Sequence, residues 1–336
     1  MEQDFKNPAV DYFDKVKTIV SPGKTTPVAN CFVSYTKQPK RYGTIFAVHG
    51  YGGSPIETPV LRVKEHALNH GFNFVAIESW AMSCSSRWPI PDSDSNLMTM
   101  DYFRKSVHAG IAAMLRDPQL RNGHRIAWAH CLAGRTIIDN YMASNRGNDI
   151  FNEFVFVAPY FLPDTKLLQT KARLYKKDPS GTMWNRIAKR SYYANVTLNG
   201  KQILFPKNVR LFDGVIEHLP DIKFEKDGDG KIDLEKYVQD IFKRSDSCLA
   251  NSFDTKLCTC VLAECDQVID YASAERFYRL LPIKTKSIIK IKGADHNLDD
   301  TTKKYDAAIN LILDRSCFYL DARNAILSHL TFDKTL

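Results

Sequence analysis

The sequence predicts an α/β fold, a doubly wound and mostly parallel sheet with helices on both faces. Three observations predict it. Strand-length apolar runs alternate with helix-period stretches between residues 43 and 158, the pattern of βαβ units whose strands are buried on both faces. The alternation breaks over 160–255 and resumes at 257, as when an insertion interrupts a core. At 124–134 a strand-forming run turns on small residues into a helical pattern, with Cys131 at the apex.

Bulk properties set the frame. At 336 residues, 44% hydrophobic and 25% charged, the chain can bury a large core, either as about two domains or as one elaborated domain. Its apolar runs are strand-sized, so no transmembrane segment is expected. The N-terminus, Met1-Glu-Gln-Asp-Phe-Lys-Asn-Pro8, lacks an apolar signal core, and a cytoplasmic protein is expected. Of eight cysteines, Cys258 and Cys260 are too close within one strand to pair; a reducing compartment suits this usage. No cofactor is expected.

The elements follow in order. Residues 14–20 and 28–35 alternate like half-exposed strands around a Ser21-Pro-Gly-Lys turn and would form an antiparallel edge. Gly43-Thr-Ile-Phe-Ala-Val48 reads as a central strand ending in His49-Gly-Tyr-Gly-Gly-Ser54, whose glycines allow close backbone approach to a ligand. A helix is expected over 55–70, stopped by Gly71, then a buried strand over 72–77. A long polar loop, 79–98, carries Trp80 and Trp88, and loops of that length are often functional. Residues 102–115 read as an amphipathic helix and 154–158 as the next strand, closed by Pro159. After the insertion come a strand at 257–263, a helix at 273–281, a strand at 287–291 and a closing helix over about 301–314.

The run His124-Arg-Ile-Ala-Trp-Ala-His-Cys-Leu-Ala-Gly134 resembles the nucleophile elbow of the α/β-hydrolase superfamily. Such a turn needs small residues two before and two after the nucleophile; here they are Ala129 and Ala133. Two departures stand out: alanine replaces the usual glycines, and cysteine replaces the commoner serine. A cysteine at the elbow is similar to dienelactone hydrolases and polyhydroxyalkanoate synthases, and Cys131-Leu-Ala-Gly134 is close to the Cys-Leu-Gly-Gly of the former. A buried structural cysteine would use the same letters.

The resemblance covers roughly 40–315 and implies further roles. His49, Gly50, Gly52 and Gly53 would form the loop beside the substrate. The backbone N–H groups of Tyr51 and Leu132 would form the oxyanion hole. Asp266 best matches the triad acid, with Glu264 and Asp270 as rivals, and His296 after Gly293-Ala matches the catalytic histidine. Cys131, Asp266 and His296 then fall in the chain order that the fold requires. His49, His108 and His130 read as ordinary core or surface groups. Residues 1–159 and 256–336 would form the hydrolase core, with 160–255 as a lid or cap.

That layout implies acyl transfer through a Cys–His–Asp triad to an acyl-cysteine intermediate. Hydrolysis of an ester or thioester leads; an acyltransferase and a non-catalytic binding protein are the alternatives. The partner is a small acyl substrate. Net charge is +8, but eleven Lys/Arg against Asp164 and Asp178 fall within 161–210. This basic segment is either a solvated face or a landing surface for an anionic carrier; no nucleic acid is expected. Within the insertion, Glu225, Asp227, Asp229 and Asp233 resemble a calcium loop. Lys236 occupies the place of its bidentate glutamate, and an Asp-Gly turn before a helix explains the same letters.

Overall fold

The computed structural model describes residues 8–20, 27–50, 53–79, 100–142, 150–161, 193–198, 201–206, 238–239, 256–266, 269–298 and 301–332. Its main sheet has eight strands: β1 (Lys15–Val20), β2 (Pro27–Ser34), β3 (Gly43–Val48), β4 (Phe72–Ser79), β5 (His124–His130), β6 (Glu153–Val157), β9 (Leu257–Ala263) and β10 (Thr285–Ile291). They lie in the order β1-β2-β4-β3-β5-β6-β9-β10. The first two are antiparallel to each other, as the sequence suggests, β2 is antiparallel to β4, and β4, β3, β5, β6, β9 and β10 run parallel. A separate antiparallel hairpin, β7 (Tyr193–Leu198) with β8 (Lys201–Pro206), lies within the 160–255 segment.

Every residue of β3, β4, β6 and β9 is buried, which is why these strands read as continuous apolar runs rather than alternating ones. Helices cover both faces. One face packs α2 (Met100–Met114), the short α4 (Ala133–Ile137) and α5 (Tyr271–Leu280) over Phe46, Val75, Ile77, Phe154 and Phe156. Val238, from the 160–255 segment, is buried in that same cluster. The other face packs α1 (Thr58–Asn69) and α6 (Thr302–Phe332) over Ile45, Ala47, Phe74 and Val155. The remaining short helix, α3 (Pro118–Arg121), is capped by the Asp117 side chain, which accepts from the Gln119 N–H at 2.9 Å.

Two boundaries differ from the sequence reading. The first helix starts at Thr58 rather than Pro55, after a turn in which the Glu57 N–H bonds the Ser54 carbonyl. The closing helix does not stop at 314 but runs on to Phe332. Polar Arg315 and Ser316 interrupt the apolar period there, yet both side chains are consumed by the buried Glu153 carboxylate, so the helix continues through them.

Candidate active site

The carboxyl ends of β5, β9 and β10 bring three predicted residues together. Cys131 follows β5 directly and has φ 53°, the left-handed region that a non-glycine residue adopts at a cost of about 1–2 kcal/mol. Three backbone hydrogen bonds hold it there. Its N–H donates to the Val157 carbonyl at 3.0 Å, and its carbonyl accepts from Gly134 at 3.0 Å and Tyr160 at 2.9 Å. The chain leaving β6 thus clamps the elbow from outside. Ala129 and Ala133 are wholly buried, so the departure from glycine is accommodated. The thiol-bearing residue itself stays partly exposed, and α4 opens immediately behind it with Leu132 as its N-cap. The first N–H groups of a helix lack partners within it and point at whatever lies before the helix.

The acid and base meet across two loops. His296 Nδ1 lies 2.8 Å from Asp266 Oδ2. A carboxylate can only accept, so Nδ1 donates and Nε2 remains the ring's other polar atom; the Cys131 side chain lies near enough to help raise the ring's pKa. The other Asp266 oxygen accepts from the Ile269 N–H at 2.8 Å. The loops themselves are tied: Glu264 N–H bonds the Ile291 carbonyl at 3.2 Å, and Cys265 N–H the Ala294 carbonyl at 2.8 Å. Of the rival acids, Glu264 accepts from the Gly293 N–H and Asp270 from the Ser273 hydroxyl; Asp266 is the one that faces the imidazole.

Electrostatics follow from burial. The Asp266 side chain is 2% exposed and that of His296 13%. Burial pulls the imidazole pKa down, but the Asp266 charge, the Cys131 sulfur and hydrogen bonds to both outweigh it and hold the pKa well above that of an ordinary histidine.

The glycine loop closes the site from the β3 side. A Cβ on Gly50 would stand 2.7 Å from the Cys131 Cβ, closer than real side chains come, so only glycine lets this backbone approach Cys131. Tyr51 and Gly52 lie outside the described residues, as does the calcium-like run Glu225, Asp227, Asp229 and Asp233. No cluster of three or more metal-ligating side chains occurs among the described residues, and none of their helices is long and apolar enough to cross a membrane.

Two further histidines, His130 read from sequence as ordinary and His49 placed in the glycine loop, sit against this constellation. His130 Nε2 donates to the His296 carbonyl at 3.1 Å, with the two rings 5.2 Å apart. His49 is buried beneath the glycine loop, its Nδ1 2.7 Å from the Gly50 carbonyl. Only its place immediately before Cys131 could have marked His130.

Comparisons with known proteins agree with the geometry at the level of the fold. No protein-family model matches the sequence, and no curated protein matches it. Solved structures do match. Est1E from Butyrivibrio proteoclasticus is similar at 12% identity and TM-score 0.52, over 90% of this chain and 98% of that one. DcsB, solved in complex with its substrate analogue, is similar at 11% identity and TM-score 0.56, over 90% and 99%. The α/β hydrolase GrgF from Penicillium sp. sh18 is similar at 12% identity and TM-score 0.52, over 91% and 99%. The chain therefore has the α/β-hydrolase fold.

Proposed function

We propose that this protein hydrolyses an ester or thioester through an acyl-Cys131 intermediate. One observation carries the reading: a cysteine held at positive φ at the apex of a strand–helix turn, with the His296–Asp266 pair aimed at it. A strained, partly exposed thiol in contact with an oriented imidazole is what nucleophilic catalysis requires and what packing alone does not. The names of similar folds support the same class: one is Est1E with ferulic acid bound, another a monoglyceride lipase from Saccharomyces cerevisiae.

The chemistry follows from the atoms present. His296 Nε2 takes the Cys131 proton, and Asp266 holds the resulting imidazolium in place. The sulfur bonds to the substrate carbonyl carbon, and the carbonyl π pair moves onto oxygen. The Leu132 N–H, at the mouth of α4, and the Tyr51 N–H of the glycine loop stabilise that oxyanion. Collapse expels the alcohol or thiol, which takes the proton from His296. Water then attacks the acyl-thioester, giving its proton to His296, and Cys131 leaves. The 160–255 segment acts as a lid that shapes the acyl pocket, and its basic stretch, 161–210, suits a substrate with an anionic group.

Intact-mass measurement after incubation with a panel of activated esters and acyl thioesters tests this, with Cys131→Ala in parallel. An acyl adduct that is absent from the variant and decays in water is expected. Neither adduct nor turnover across the panel would sink the reading. An adduct that persists in water but transfers to added amines or thiols would replace hydrolysis with acyl transfer.

A further inference from the structure

We propose that a groove between the edge strand β1 and the end of α2 is a second binding site, for a short aliphatic carboxylate. The inference goes beyond the hydrolysis reading and holds or fails independently of it.

The groove has a volume of about 230 Å³, and its floor is Val33, Met114 and Leu120, all buried. In the β1–β2 ladder Lys15 stands directly opposite Val33, and Lys17 opposite Cys31. Residues opposite one another share a face of the sheet, and both partners belong to the core beneath α2. The two lysines are therefore turned to that side, and Arg116 reaches the same groove from the turn after α2. The site is far from Cys131. Lys15 is in register, through Val33, Val75 and Phe46, with Ala127 of β5. That is four strands across the sheet, about 19 Å at the usual strand spacing, so the groove is not the acyl pocket.

Its charge is unbalanced. The carboxylate in the lining is Asp117, and both of its oxygens are taken. Oδ1 accepts from the Gln119 N–H at 2.9 Å and Oδ2 from the Tyr35 hydroxyl at 3.0 Å. Asp14, beside Lys15 in the chain, accepts from the Tyr35 N–H at 2.8 Å. Among the described residues no acid pairs with Lys15, Lys17 or Arg116, whereas Lys40, Arg62, Arg135, Lys290 and Arg315 each have one. Lysines on an edge strand also discourage pairing with another sheet. That accounts for Lys15 and Lys17 but not for Arg116, which another element brings to the same cavity. A guanidinium and two ammonium groups above an apolar floor suit a carboxylate on an apolar stem, since the guanidinium fork matches a carboxylate. At the share of volume a water takes in the liquid, the groove holds roughly seven or eight heavy atoms, the size of hexanoate.

Calorimetric titration of the full chain with hexanoate tests the proposal. Saturable binding is expected. Hexanamide, which keeps the shape without the charge, and acetate, which keeps the charge without the stem, should each bind at least about tenfold more weakly. The double variant Lys15→Gln/Lys17→Gln and the single variant Arg116→Gln should each weaken hexanoate roughly tenfold. Lys303→Gln/Arg323→Gln removes two charges from α6 and should bind as the wild type does. All five side chains are exposed, so the variants alter the groove or the net charge and leave the packed core alone. No saturable binding would overturn the proposal, as would hexanamide or acetate binding as tightly as hexanoate. An equal loss in the α6 variant would reduce the effect to net charge and overturn it too. Hexanoate bound equally by every variant would place the acid elsewhere in the molecule, the Cys131 site included, and would overturn the groove as its site.

Discussion

The sheet carries a buried carboxylate–histidine pair at each end. At the carboxyl ends of the strands, Asp266 meets His296 at 2.8 Å. At the amino ends, Glu153 meets His124 at 3.2 Å. The chemical groups are alike; their surroundings are not. Glu153 is completely buried and also accepts from Arg315 and the Ser316 hydroxyl. That saturates both of its oxygens and staples α6 to β5 and β6. Asp266 instead holds a histidine that turns its other nitrogen to a partly exposed cysteine in a strained conformation. A buried acid–histidine pair is thus not a site by itself. The amino-end pair is locked among Arg315 and Ser316, and the carboxyl-end pair lies beside a partly exposed cysteine.

The sharpest way to break this contrast is to delete each histidine's function separately. His296→Ala should lower ester turnover about a thousandfold, within the range of a lost general base, while the urea midpoint moves little beyond the loss of one ion pair. Retained turnover would dissolve the distinction between the ends. Thiols offer the next contrast. Burial pushes Cys258, near the amino end of β9, and Cys31 up to about 12, and raises Cys260 likewise. At pH 8 Cys31 and Cys258 should alkylate about a thousandfold more slowly than a free thiol of ordinary pKa, and Cys260 slowly as well, whereas Cys131 should label first, alongside exposed Cys265. Peptide mapping after brief iodoacetamide treatment reads this directly. Glu153→Gln should then cost about 1–3 kcal/mol of stability, because it weakens the charge-assisted bonds from Arg315 and Ser316 to a buried group while Arg315 stays partly solvated, with Cys131 acylation unchanged per folded molecule. A cost below about 1 kcal/mol would mean that the network is not the clamp its geometry implies.

How far these features could be read in advance follows from what each demands of the residues. Gly43–Val48 and Leu257–Ala263 stand at the bounds the sequence suggests, because a strand buried on both faces must be apolar throughout. The elbow was legible for a similar reason: positive φ at Cys131 tolerates only small neighbours, and Ala129 and Ala133 are printed in the chain. The continuation of α6 was not. Arg315 and Ser316 look like the end of an amphipathic period, and only their tertiary partner, Glu153, explains their place in a helix. His130 was passed over because a histidine's role depends on which carbonyl it reaches, and nothing in the local letters records that its Nε2 meets the His296 carbonyl.

The smallest expected effect is the most informative about the site's resting state. His296 has its pKa held well above an ordinary histidine's by Asp266 and Cys131, against the downward pull of burial. A group whose folded pKa exceeds its unfolded one binds the proton more tightly when folded. Its contribution to stability is therefore complete below about pH 6.5, the unfolded value. It is lost as pH rises through the raised folded value. Asp266→Asn removes the carboxylate that does most to raise it. The stability difference between wild type and this variant should accordingly be largest near about pH 6 and narrow as pH rises above the unfolded value, as followed by thermal or urea unfolding. The corresponding gap for Glu153→Gln should narrow less, since Arg315 stays charged throughout. A wild-type advantage over Asp266→Asn that is flat with pH would place no proton on resting His296.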